Sequence, residues 1–290
     1  MPDTSDLAVR MKGYENVQRH TLTGRMPVLI RVDGKSFHTF TKGMQRPFDM
    51  ILMNAMWETA KYLCDNIMGA KLAYVQSDEI TVLLTDYDTL QTQAWFDKNV
   101  VKMTSISASM ATMAFNKAFM SKLLTNEQMQ LNGALYVTET GAEDEATNEW
   151  MRTYGNKIGT AMFDSRVWVI PKEEVCNAFI WRQQDATRNS ISMVAQSKFS
   201  HKQLHKKSAN EMQEMLWQEH LLNWNDLDTY LKRGACIVKE HYEKDDMPGV
   251  IRSHWIVDKN IPIFTKDRDY IERFVYLSEA EPISSLEPFK

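Results

Sequence analysis

PVLIRVDGKSFHTF, residues 27–40, is an apolar β-branched run that ends at Asp33-Gly34. Valine and isoleucine at this density favour a buried strand, and Asp-Gly is suited to its end, so the run delivers a carboxylate to a strand tip. KLAYVQSDEITVLL, residues 71–84, is two further apolar runs around the polar Gln76-Ser77-Asp78-Glu79. This pattern predicts a β-hairpin with acids at its bend. Between the two stretches, residues 47–68 set Leu52, Met56, Ala60, Leu63 and Ile67 at helical spacing, with Pro47 suited to a first turn and Gly69 to a C-cap.

Outward from this centre, Met103, Ile106, Met110 and Met113 predict a helix from Asp97 to Phe119, and FDSRVWVIP (163–171) resumes as a strand. The order strand, helix, hairpin, helix, strand predicts an α+β fold, a ferredoxin-like antiparallel sheet with its helices on one face. A short amphipathic helix is expected from Leu7 to His20. Residues 120–157, with NEQ and GAEDEATNE, have loop-like composition and read as an insertion. From Lys172 onward the chain reads helix-rich, and KRGACIVKEHY, VIRSHWIVD and PIFTKD read as short strands. The expected division is a catalytic region at 1–172 and a helical, short-strand C-terminal region at 173–290.

The bulk composition narrows the function classes. The 290 residues carry 34 Lys and Arg against 38 Asp and Glu, a net charge of −4. That balance argues against a protein that coats nucleic acid non-specifically, yet allows an enzyme with one local basic patch. Such a patch is Lys198, His201, Lys202, His205, Lys206 and Lys207, although a solvated helical face reads the same way. Cys64, Cys176 and Cys236 are odd in number and far apart, so neither a disulfide framework nor a zinc cluster is indicated. No apolar run is long enough to cross a bilayer and the start lacks a signal-peptide pattern, so no membrane and a cytoplasmic setting are expected.

Asp33 and Asp78 lie at the tips of segments expected to be neighbours. Two carboxylates that close repel each other, and a divalent cation turns the pair to use. Hard oxygen ligands suit magnesium, and two such ions can serve an in-line displacement at phosphorus. Asp-Gly is also a common turn and Ser-Asp-Glu a common hairpin bend, so spacing alone leaves a purely structural reading open. Lys98, Lys102, Ser105 and Ser109 share one predicted helical face, as phosphate contacts or as a solvated lysine pair.

RVDGKSFHTF, RPFD, YVQSDEITVLL, FDSRVWVIP and WRQQDATRN together resemble the tRNA-histidine guanylyltransferase family in order and approximate spacing, from about Tyr14 to Lys207. The resemblance implies a polymerase-type palm that adds nucleotides to the 5′ end of tRNA, in the 3′ to 5′ direction, with two Mg²⁺ ions and with ATP and GTP as substrates. It implies metal ligation by Asp33, the Gly34 carbonyl and Asp78, with Glu79 as an adjacent catalytic acid. Nucleotide binding is implied for Lys35, Ser36, Phe37, His38, Arg46, Asp49, Ser77, Lys98 and Lys102. RNA binding is expected at Arg182, Asn189, Lys198, Lys202, Lys206 and Lys207.

Histidine-specific members carry His-Ile-Asn-Asn where this chain has Thr187-Arg188-Asn189-Ser190. The departure implies the guanylyltransferase-like branch, which repairs truncated tRNA 5′ ends against a template, and family analogy implies a dimer or tetramer. A nucleotide cyclase on the same palm, a tRNA-histidine-specific guanylyltransferase and a non-enzymatic RNA-binding module are the alternatives.

Overall fold

Alternation along the first strand explains how the sheet is covered. The structure, a computed structural model, describes residues 4–137, 145–244 and 247–276. The chain enters through α1 (Asp6–Asn16), where the Ser5 hydroxyl accepts the Ala8 N–H at 3.2 Å. There follow β1 (Val28–Gly34), the single turn α2 (Phe37–Phe40), α3 (Met50–Asn66), β2 (Ala70–Gln76) and β3 (Glu79–Leu84). A 3-10 turn, Trp95–Lys98, leads into α4 (Val100–Val137), then α5 (Glu145–Gly155) and β4 (Phe163–Val169). The remainder is α6 (Lys172–Gln196), α7 (His201–Leu204), α8 (Ala209–His220), α9 (Thr229–Arg233), β5 (Ala235–Lys244), β6 (Met247–Asp258) and α10 (Asp269–Glu272).

The sheet order is β4-β1-β3-β2-β5-β6, every neighbouring pair antiparallel. Its first four strands have the ferredoxin-like arrangement expected from the sequence, with α3 and α4 as the crossovers. Val28, Ile30 and Val32 of β1 pack with Met56 and Leu63 of α3 and with Met103 and Phe115 of α4. Leu29, with Leu72, Tyr74 and Leu83, faces the other way, against Val175, Cys176 and Phe179 of α6 and Ile271 of α10. Successive strand side chains alternate between faces, so Arg31 and Asp33 follow Leu29 onto the side covered by α6. The helix-rich C-terminal region thus closes the second face of the sheet, and its β5 extends the same sheet by pairing with β2.

Three local expectations are corrected. Residues 120–157 are not loop-like: α4 continues to Val137 and α5 occupies Glu145–Gly155, while 138–144 lie outside the described residues. Tyr154 of α5 is buried against Phe119 and Trp150. PIFTKD forms turns, not a strand, because Phe264 and Ile261 turn inward onto the α6 face. Pro47 precedes α3 instead of opening it; Asp49 is the N-cap, accepting the Leu52 N–H at 2.9 Å. The three cysteines are free and buried.

Candidate active site

The Gly34 N–H donates to the Asp78 carbonyl at 3.0 Å, which ties the end of β1 to the bend of the β2–β3 hairpin. The two acids singled out from the sequence therefore stand on adjoining backbone. A Cβ on Gly34 would meet the Phe37 ring at 2.3 Å, so the close turn at this point requires glycine. Phe37 is buried among Phe40, Phe115 and Phe163, which anchors the turn to the core. Ser36 and Ser77 both take left-handed backbone conformations, with φ of 56° and 48°. Strain of this kind in non-glycine residues is tolerated where surrounding structure enforces it.

Burial pushes the Asp33 carboxyl up, Asp164 pushes it further, and Arg166, Arg31 and Arg182 partly offset both. Asp78 is also raised, chiefly by burial, with its own backbone N–H and the Ser77 hydroxyl opposing and the charges of Asp33 and Glu79 adding. Desolvated carboxylates crowded by neighbouring acids are what a cation relieves. Asp33, Asp78 and the Gly34 carbonyl supply only hard oxygen donors, the chemistry magnesium requires, so the residues present fit that ion. Among the described residues no group of three or more His, Cys, Asp or Glu side chains is arranged to hold a metal. A cation here would thus rest on two carboxylates, one carbonyl and the oxygens of a bound phosphate.

Beside these acids opens a cavity of about 530 Å³. Gly34, Ser36, Phe37, His38, Arg46, Asp49, Ser77 and Asp78 line it, which brings together eight of the residues singled out from the sequence. Asp33 is not in the lining but immediately precedes Gly34, which is. Phe37 and His38 are the first residues of α2, so their N–H groups have no acceptor within that helix.

The structure corrects several assignments. Lys98 is 3% exposed and precedes the helix; its ammonium pairs with Asp86 at 3.0 Å and donates to the Thr23 and Met26 carbonyls at 2.8 and 3.0 Å. It anchors the 21–26 loop and is not on the face of Lys102, Ser105 and Ser109, which are exposed on α4. Asp49 is committed as a helix cap and as acceptor for the Tyr154 hydroxyl and the Gln45 N–H, so its carboxylate shapes the cavity wall. The side chain of Phe37 belongs to the core, and the Lys35 N–H is spent on the Met162 carbonyl at 2.9 Å.

Arg182, read as an RNA contact, instead grips Glu79 with Nε at 2.7 Å and Nη2 at 2.6 Å and reaches Asp185 at 3.0 Å. This bidentate pair bolts α6 to β3 next to the acids, and it makes Glu79 a positioning residue, not an acid free to react. Asn189, Lys198, Lys202, Lys206 and Lys207 are exposed on α6 and beyond it. Of these, Lys206 lines a second cavity, and Lys207 pairs with Glu211 at 3.2 Å.

Three residues beside the acids escaped the sequence reading. Arg31 shares the face of Asp33, lies under the rings of Trp168 and Trp181, and keeps a buried Nε without a hydrogen-bond partner among the described residues. Asp164 and Arg166 follow by register, since Asp33 pairs with Asp164 and Arg31 with Arg166 across β1 and β4. The signal was present as strand alternation: residues two apart from a catalytic candidate lie on its face.

Comparison with known proteins gives the family. The family model described as Thg1, tRNAHis guanylyltransferase, matches residues 8–171. The chain belongs to this family. A bacterial Thg1-like protein solved in complex with ATP is 48% identical, with a TM-score of 0.76 over 94% of this chain and 100% of that one. A bacterial Thg1-like protein in complex with GTP is 46% identical at a TM-score of 0.71, over 94% and 100%. The Drosophila melanogaster probable tRNA(His) guanylyltransferase is 25% identical over 79% of this chain and 72% of its own. The Debaryomyces hansenii tRNA(His) guanylyltransferase is 24% identical over 76% and 77%. Membership of the Thg1 family makes the chain a guanylyltransferase-like nucleotidyltransferase acting in tRNA processing. Among the described residues no helix is long and apolar enough to cross a membrane.

Proposed function

We propose that this protein repairs truncated tRNA 5′ ends by template-dependent addition of nucleotides in the 3′ to 5′ direction. One observation carries the reading: two partly buried carboxylates, Asp33 and Asp78, are tied together at strand ends beside a nucleotide-sized cavity. Structural relatives at 48% and 46% identity that hold ATP and GTP support a nucleoside triphosphate as the occupant. The absence of His-Ile-Asn-Asn at Thr187-Arg188-Asn189-Ser190 supports a substrate broader than tRNA-histidine.

In the reaction we infer, the 5′-monophosphate of the RNA attacks the α-phosphate of ATP, pyrophosphate leaves, and the end becomes adenylylated. The 3′-hydroxyl of an incoming nucleotide then attacks the RNA 5′-phosphorus and AMP leaves. Asp33, Asp78 and the Gly34 carbonyl would hold two magnesium ions, which when bound lower the pKa of an attacking hydroxyl and neutralise charge on a leaving phosphate. The N–H groups of Phe37 and His38 and the Arg46 guanidinium orient the triphosphate. Lys102 offers a further cation from the exposed face of α4. Arg182 holds Glu79, and through it the hairpin bend, in register with α6. Asn189 and the lysines from Lys198 to Lys207 face the RNA in a cytoplasmic homo-oligomer.

The experiment supplies several tRNAs lacking their first nucleotide, with ATP, GTP and magnesium, and sequences the 5′ ends of the products. Bases complementary to the 3′ side of each acceptor stem are expected. Guanosine added opposite every template base, or only to tRNA-histidine, would contradict the reading, as would cyclic nucleotide with no RNA product.

A further inference from the structure

A second cavity, of about 370 Å³, continues from the first and shares Arg46 and Gln196 with it. Its outer wall is the short segment after α6, whose shape two reciprocal caps enforce. The Ser200 N–H donates to Gln203 Oε1 at 2.9 Å, and the Ser208 N–H to Glu211 Oε2 at 2.8 Å. Phe199, just before the first cap, and Leu204, between the two, are buried and form an apolar floor. His201, His205 and Lys206 line the space above it, with the two imidazole centroids 6.3 Å apart.

The charge is one-sided. Among the described residues the lining carries Arg46, Lys206 and two histidines but no carboxylate, whereas the first cavity is edged by Asp49 and Asp78. A concave, apolar-floored site lined by donors of one sign focuses potential on an anion, which a flat solvated lysine face does not do. The neighbouring Lys207 is turned to Glu211, so the local sequence Lys206-Lys207 divides into one cavity residue and one helix-bound residue. With no carboxylate to complete a ligand set, the histidine pair is better suited to phosphate than to a metal.

We propose that this second cavity binds a phosphate of the RNA substrate close to its reacting 5′ end, with Arg46 shared between that phosphate and the nucleotide in the first cavity. The inference rests on the nucleotide-transfer reading above and specifies how the RNA is gripped. The same phosphate chemistry could be supplied by a nucleoside triphosphate, and the test separates the two sources.

His201→Ala/His205→Ala and Lys206→Gln variants are compared with the unaltered protein by anisotropy of labelled 5′-truncated tRNA across a salt series, and by calorimetric titration with ATP. These side chains are exposed, and unchanged unfolding midpoints serve as the fold control. For RNA as the ligand, Kd for tRNA rises about tenfold whatever the base sequence, and the slope of log K against log salt falls by about one for each phosphate left unneutralised. Lys206→Arg restores both. Weakened ATP binding with unchanged tRNA affinity assigns the cavity to the triphosphate and overturns the RNA assignment. Unchanged affinity for both overturns the site altogether. Binding is read without turnover, so failure of the unaltered protein to extend RNA would refute the functional reading and not this one.

Discussion

Replacing Arg182 with alanine should destabilise the protein more than replacing its partner Glu79, and the structure says why. Both side chains are about one-tenth exposed, 12% and 10%, so neither charge is well solvated when left alone. Removing one partner of a fully buried pair costs about 3–5 kcal/mol. In Arg182→Ala, Glu79 retains only long contacts, from the Thr81 hydroxyl at 3.5 Å and Arg31 at 4.0 Å, so the loss should approach that range, at about 3 kcal/mol. In Glu79→Ala, Arg182 still bonds Asp185 at 3.0 Å, and the loss should be about 1.5 kcal/mol. Glu79→Gln with Arg182→Met together, which removes both charges of the pair, should recover most of the stability lost in Arg182→Ala. Equilibrium urea unfolding of the four proteins reads these differences as midpoint shifts at constant slope. Equal losses in the two alanine variants, or a double variant no better than Arg182→Ala, would refute the pairing.

Asp33→Ala and Asp78→Ala should each lower the rate of nucleotide addition by orders of magnitude, with unfolding midpoints no lower than that of the unaltered protein. Asp78→Asn should raise the stability of the metal-free protein at neutral pH. Because folding raises the Asp78 pKa, the folded state binds its proton more tightly, so the ionised carboxylate opposes folding above the folded value and ceases to do so as pH falls below the unfolded one; the benefit of the amide should shrink from pH 7 toward pH 3. Lys98→Met leaves buried Asp86 without its ion pair and with only the Arg25 N–H at 2.9 Å, and should cost about 3 kcal/mol in urea unfolding while leaving the KM for ATP unchanged, since Lys98 is committed to the 21–26 loop. Tyr154→Phe removes the hydroxyl that bonds Asp49 and accepts the Gln45 N–H, and should lower stability by about 1–2 kcal/mol.

The sheet was legible because its strands are short, β-branched and punctuated by Asp-Gly and Ser-Asp, signals that act locally. Asp33 was legible only as the acid at a strand tip; alternation along the same strand would have added Arg31, whereas Asp164 needed the β1–β4 register. What failed did so where local composition and tertiary packing disagree. Lys98 falls inside the helix expected from the apolar spacing, yet the first turn of that helix is capped by Asn99, which accepts the Lys102 N–H at 3.0 Å; an asparagine at that place is an N-cap signal that leaves Lys98 outside. Residues 120–157 are polar enough to read as loop, yet Trp150 and Tyr154 stand four apart, the spacing of one helical face; their rings pack together, and Tyr154 meets Phe119 and Asp49. Arg182 could not be assigned from sequence at all. Its partner lies 103 positions away, and only the crossing of α6 over β3 brings them together.

Single-turnover extension of a 5′-truncated tRNA whose 3′ terminus has been oxidised tests the central claim most directly, because growth can then occur only at the 5′ end. With ATP, GTP and magnesium the unaltered protein should lengthen that RNA by the base its template strand specifies, and Asp33→Ala and Asp78→Ala should leave it at its starting length. An unaltered protein that cannot lengthen the blocked RNA, or aspartate variants that lengthen it at the unaltered rate, would contradict the account.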